Sequence, residues 1–185
     1  MIVTLSGITG IGKSFFKNVI IQELNFKNLV IVTTRPKRTS EVNGIDKIFV
    51  NEKEFEQLKK EGKIIVDFEF LGAQYGYLKS DFELNQNQVT EVHYSTIYEF
   101  KKHANNIFSI YMLPSDFERA KIELKKRELP EEIEQKRLQE IEEHIKEYSN
   151  NKELQKQFDY TFVNDYTEDS KNKLLKVVKE KIEKG

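Results

Sequence analysis

The stretch "LSGITGIGKSFF", residues 5–16, spaces two glycines, a lysine and a serine as G-x-x-x-x-G-K-S, with the strand-like "IVTLS" ahead of it and the apolar "FFKNVIIQEL" behind. Between a strand and a helix, Gly7 and Gly12 permit a tight turn whose successive backbone N–H groups point at phosphate oxygens. Lys13 then bridges the β and γ phosphates of a nucleotide, and the Ser14 hydroxyl ligates Mg²⁺. The motif predicts a phosphate loop made by Gly7, Ile8, Thr9, Gly10, Ile11, Gly12, Lys13, Ser14 and Phe15, holding ATP. The alternative is a Gly-rich turn with an accidental lysine, which the strand–loop–helix setting disfavours.

Outward from this loop, short β-rich runs recur at Ile2 to Leu5, Leu29 to Thr33, Val89 to His93, Ile107 to Met112 and Tyr160 to Val163, mostly separated by helical pattern. That alternation predicts an α/β fold, a parallel sheet flanked by helices. Two regions interrupt it. Between Arg35 and Lys79, "GIDKIFV", "NEKEFEQLKKEG", "KIIVDFEF" and "AQYGYL" read as a small mixed sheet carrying one helix, capped by Asn51 with Glu54 and stopped at Gly62. Between Leu129 and Asn151 the chain reads as a long helix with Pro130 near its start and Ile133, Arg137, Ile141 and Ile145 on one face.

The chain has 185 residues, which suits one domain with small inserted parts. Lys+Arg 30 against Asp+Glu 31 nearly cancel, so the bulk charge does not favour a nucleic acid or a membrane surface as partner. With Cys 0 there is no disulfide framework and no thiol nucleophile. The start "MIVTLSG" lacks a signal-like pattern and no apolar run approaches the roughly 20 residues of a bilayer span, so a cytoplasmic protein is expected. A monomer or homodimer is expected as well.

Phosphate loops serve motors, switches and kinases alike. In "VTTRPKRTSEVNGIDKIFV", Arg35 and Arg38 lie three apart around Pro36 in an extended segment, a spacing suited to gripping a small phosphate with guanidinium forks. Taken alone, such arginines are more often solvated surface charges. Taken with "SGITGIGKS", "TTRPKR", "EVNGID", "LGAQYGY", "LPS", the "KR" of the second interruption and "FVND", all in order over residues 3 to about 182, the chain resembles the guanylate kinase family of nucleoside monophosphate kinases.

The resemblance implies a single domain with a core at 1–30, 86–125 and 152–185, an acceptor-binding subdomain at 31–85 and a helical lid at 126–151. It implies that Arg35, Arg38 and Tyr75 hold the acceptor's phosphate, that Arg127 and Arg137 reach the transferring phosphoryl group beside Lys13, and that Asn164 lines the adenine side of the ATP site. It implies Mg²⁺ as cofactor, held by Ser14 with Glu91, and small nucleotides as partners. No general base is needed, because an acceptor phosphate is already a nucleophile.

The base pocket departs from the family pattern. Ile31 stands where the family commonly has serine, Val66 where it has the guanine-reading glutamate, and Tyr77 in place of a small hydroxyl residue. Lys47 replaces a tyrosine that binds phosphate, and His93 takes the second acidic place of the strand whose first is Glu91. In regular alternation Asp67 and Glu69 face away from Val66, and a strand bulge is the one way they rescue a base contact. The expected activity is ATP-dependent phosphorylation of GMP, dGMP or a related small phosphomonoester. The alternative readings are a non-catalytic binding module, disfavoured by the intact loop, and a slow ATP-binding regulator.

Overall fold

The computed structural model describes residues 1–39, 41–126 and 128–184. Its central sheet is built from β1 (Ile2–Gly7), β2 (Lys27–Asn28), β7 (Gln88–Glu91), β8 (Ile107–Pro114) and β9 (Tyr160–Asn164), all parallel, in the order β2-β7-β1-β8-β9. Parallel strands are covered on both faces, which is why "IVTLS" is buried at every residue rather than at alternate ones. Helices α1 (Lys13–Leu24) and α8 (Glu168–Lys184) cover one side, with Phe16, Ile20, Leu174 and Val178 packed against Val3 and Leu5. The Phe16 ring meets Phe162 of β9 edge-on at 5.4 Å, and each such buried side chain contributes roughly 1.5–3 kcal/mol.

A second sheet has the order β4-β3-β6-β5, formed by β3 (Ile31–Thr33), β4 (Lys47–Phe49), β5 (Ile64–Phe70) and β6 (Ala73–Leu78). β3 and β4 run parallel while β6 is antiparallel to both β3 and β5. The run read as one strand from Leu29 to Thr33 therefore divides: Leu29 stays under the central sheet, and Ile31–Thr33 opens the second one. Helix α2 (Glu52–Lys60) closes one face, its first turn capped reciprocally by Asn51 and Glu54 as the sequence predicts. Its Phe55 buries against Val32 and Ile64.

Short helices α3 (Lys79–Phe82), α4 (Ile97–Lys101) and α7 (Lys152–Gln155) make the connections, and α5 (Phe117–Lys125) leads toward the long helix α6 (Glu131–Asn150). Glu131, Glu132 and Glu134 sit in the first turn of α6, where the helix dipole favours negative charge. Its inner face carries Ile141, His144 and Tyr148. Ile133, expected on that face, is instead exposed, because it lies in the first turn before α6 reaches the central sheet.

Candidate active site

The phosphate loop is shaped by backbone contacts. Gly10 has φ +85°, and a Cβ there would fall 2.5 Å from the carbonyl oxygen of Ala120 in α5. Gly12, at φ +91°, is the N-cap of α1 and makes no side-chain cap. A helix N-terminus without a capping side chain presents its first amides, and the positive end of its dipole, to an anion. Ile8 and Ile11 point inward, fully buried in the main core, so the loop is pinned by its apolar residues while its glycines face the cleft.

Lys13 Nζ donates to the carbonyl oxygens of Gly7 and Ile8, both at 2.8 Å, and so lies along the loop. The Ser14 hydroxyl donates to Glu91 at the end of β7, at 2.8 Å, and Lys17 Nζ lies 3.8 Å from the same carboxylate. Burial by itself raises the Glu91 carboxyl. Lys47, Lys17 and Lys13, with the Ser14 hydroxyl, outweigh it and hold the group at about 2. Lys47 in turn is lowered by its burial, offset in part by Glu91.

Across a cleft of about 610 Å³ from this loop stand Arg35, Arg38, Lys47 and Tyr75. Glu41 holds the basic segment in shape: it accepts from Arg35 Nη2 at 2.7 and 2.9 Å and from the Arg38 backbone N–H at 2.8 Å. Burial raises the Glu41 carboxyl, and the Arg35 hydrogen bond and charge more than reverse that. The third side of the cleft comes from α6. Arg137 Nη1 donates to Thr9 Oγ1 at 3.3 Å, and that hydroxyl donates to Glu140 at 2.9 Å, joining the long helix directly to the phosphate loop. The Arg137 guanidinium is destabilised by burial and by the nearby charges of Arg38 and Arg35, and its buried Nε has no acceptor among the described residues.

Several expected residues lie elsewhere. Val66 and Tyr77 are buried behind the cleft wall with Ile31, and of the three Ile31 alone lines the cleft. The Tyr77 hydroxyl is turned to the Glu91 carbonyl oxygen at 2.7 Å. Asn164 is buried and braces the loop from below, donating to the Ile11 carbonyl at 2.9 Å and accepting from the Tyr166 N–H. β5 does contain an irregularity, between Ile64 and Val66, yet it does not turn the acids inward. Asp67 pairs with Lys59 of α2 at 2.6 Å and Glu69 is exposed, while Phe68 and Phe70 take the cleft side. Arg127 lies outside the described residues.

Glu41, Glu140, Thr9's bridging role and Lys17 were not singled out from sequence as structural partners of the site. Glu41 had a signal, being the one acid within "RPKRTSEV". Lys17 had a weaker one, as a charge inside the apolar "FFKNVII".

The family model for guanylate kinase matches residues 1–181 of the chain. Similar relatives include the guanylate kinase of Mycoplasmoides gallisepticum, 30% identical over 95% of this chain and 92% of that protein. That of Mycoplasma mobile is 30% identical over 98% of this chain and 93% of its own length. Among solved structures, the guanylate kinase of Anaplasma phagocytophilum has the same fold, with a TM-score of 0.72 over 97% of this chain and 85% of that one at 23% identity.

Proposed function

The chain belongs to the guanylate kinase family, and from that premise we infer that it transfers the γ-phosphoryl group of ATP to the phosphate of GMP or dGMP, or of a related small phosphomonoester. The observation that carries the reading is convergence of charge. Lys13, Lys17, Arg35, Arg38, Lys47 and Arg137 reach one cleft from the phosphate loop, the second sheet and α6. Burial and neighbouring cations disfavour the charged forms of Lys47 and Arg137, and phosphate groups entering the cleft offset that cost.

The roles follow from position. The loop amides and Lys13 hold the donor's phosphates. Arg35 and Arg38, set by Glu41, hold the acceptor's phosphate with Tyr75 and Lys47 beside them, so that its oxygen faces the donor in line. Arg137 sits where charge develops between the two, and its joining of α6 to Thr9 lets helix closure exclude water. Ser14 and Glu91 fit a hard divalent cation, since a hydroxyl and one carboxylate with substrate phosphates are a common Mg²⁺ donor set. Such a cation, when bound, neutralises charge on the phosphates.

Arg127 belongs with Arg137 in this scheme, the segment 31–85 acts as the acceptor-binding part and 126–151 as the lid. The partners are small nucleotides, with neither nucleic acid nor membrane required, in a cytoplasmic monomer or homodimer. No helix of the described residues is long and apolar enough to cross a membrane.

The test is coupled ADP release with Mg-ATP across GMP, dGMP, AMP, CMP, UMP, dTMP and sugar phosphates. Acceptor-dependent turnover is expected. ATP binding with no acceptor-stimulated ADP release would leave a slow ATP-binding regulator instead.

A further inference from the structure

Beyond the arginine clamp the cleft wall turns aromatic. Phe68 and Phe70 of β5, Tyr75 of β6 and His93 just past β7 line it together with Ile31. The Phe68 ring stacks on Tyr75, with centroids 5.1 Å apart and planes at 11°, and on His93 at 5.3 Å and 28°. Phe70 lies tilted against His93 at 5.1 Å. The rings are packed on one another in a row, so the wall they give the cleft is apolar and aromatic, a surface that takes a nucleobase with little regard to which base it is.

Telling guanine from hypoxanthine takes more, because the two differ by one exocyclic amino group. A site separates them by placing an acceptor, best a carboxylate, opposite that donor. Each described acid along the cleft is already engaged. Glu41 is held by Arg35 and the Arg38 amide, Asp46 by the Val42 amide, Glu91 by Ser14 and Lys17, and Glu140 by Thr9. Glu123 pairs with Arg119 and Lys126. Behind the wall, Val66 and Tyr77 pack with the cleft-lining Ile31 in one apolar cluster. Besides the Tyr75 hydroxyl, His93 brings a polar ring to the shelf, with its Nδ1 2.8 Å from Ser95 Oγ.

We propose that the acceptor site holds a purine nucleoside monophosphate against the aromatic wall of Phe68, Phe70 and His93, with no reader for the 2-amino group among the described residues, so that IMP is phosphorylated alongside GMP. This rests on the kinase reading above and names the substrate class of the same site.

The experiment measures initial rates of ADP formation with Mg-ATP for GMP, IMP and ribose 5-phosphate, beside calorimetric binding of each to the same protein. The expected kcat/KM values for GMP and IMP agree within about tenfold, with ribose 5-phosphate at least about 100-fold lower. Phe70→Leu is expected to raise KM for GMP and IMP by a common factor and leave KM for ATP unchanged. His93→Asp, which brings a carboxylate to the shelf, should raise the GMP to IMP ratio about tenfold or more.

A wild-type preference for GMP over IMP of about 100-fold or more overturns the proposal and leaves the kinase reading standing. Ribose 5-phosphate turned over as fast as GMP overturns the shelf. A ratio unmoved in folded His93→Asp overturns the placement of His93 beside the base. Equal binding of GMP and IMP without turnover supports the base reading while rejecting catalysis, and binding of neither overturns both.

Discussion

The two sides of the cleft are built on opposite plans. The phosphate side is made of backbone and cations: loop amides at the start of α1, Lys13, and arginines held by Glu41 and Thr9. The side proposed for the base is made mostly of rings and aliphatic chains, and behind it the Tyr77 hydroxyl is spent on the Glu91 carbonyl. Phosphate recognition is generic and strong, so it tolerates little change in charge. Base contact with an apolar aromatic wall is generic and weak, so a wall of that kind tolerates changes that a hydrogen-bonding reader would not.

Removing the central cation probes the phosphate side hardest. Lys13→Ala is expected to lower kcat by about 10³-fold with the fold intact by circular dichroism, because on the proposed reading it deletes the cation that holds the donor's phosphates. Activity within tenfold of the parent would move the chemistry away from this loop. The acceptor clamp comes next: Arg35→Ala should raise KM for the acceptor by about 10- to 100-fold, with KM for ATP changed much less, as expected for a lost charge-assisted contact. An equal rise in both KM values would mean that Arg35 supports the cleft as a whole.

Acid separates the two sides by stability. His93 is neutral in the folded chain down to about 4, below its ordinary 6.5, so the unfolded chain gains protons first and stability falls as pH drops from 6.5 toward 4. Glu91, held at about 2 against an ordinary 4.5, adds a second loss as pH falls from 4.5 toward 2. Urea midpoints at pH 7, 5.5 and 4.5 should decline, and less steeply in His93→Gln; His144, also lowered by burial, keeps part of the slope in that variant. The smallest effect belongs to Tyr77→Phe, which removes one buried hydrogen bond worth about 1 kcal/mol, so that Tm falls by about 2–4 °C while every KM stays put. A changed acceptor KM would put the Tyr77 hydroxyl in the cleft after all.

Legibility along the chain followed the physics of each feature. The phosphate loop and its flanking strand and helix are local, set by glycine spacing and by one apolar run on either side, so residues 5–16 carry them unaided. The reciprocal cap of Asn51 and Glu54 is equally local. By contrast, the division at Leu29 and Ile31 between two sheets depends on which partner strand each stretch meets, and no periodicity records that. That Asn164 braces the loop from beneath is equally a matter of the closed fold, since a strand-end side chain turns to whichever backbone carbonyl lies unpaired nearby.

By itself, then, the sequence determined the α/β alternation, the phosphate loop and the charges that the loop faces, because these need residue types at fixed short spacings. Tertiary structure alone decided that Glu41 sets the arginines, that Glu140 and Arg137 of α6 meet Thr9 across more than a hundred residues, and that Phe68 and Phe70 rather than Asp67 and Glu69 face the cleft. The physical reason is that a side chain's partner across the fold is chosen by packing and desolvation once the chain has closed. "GITGIGKS" fixes the shape of the loop proposed to hold phosphate, and only the assembled wall opposite shows that what stands across from it is a shelf of rings.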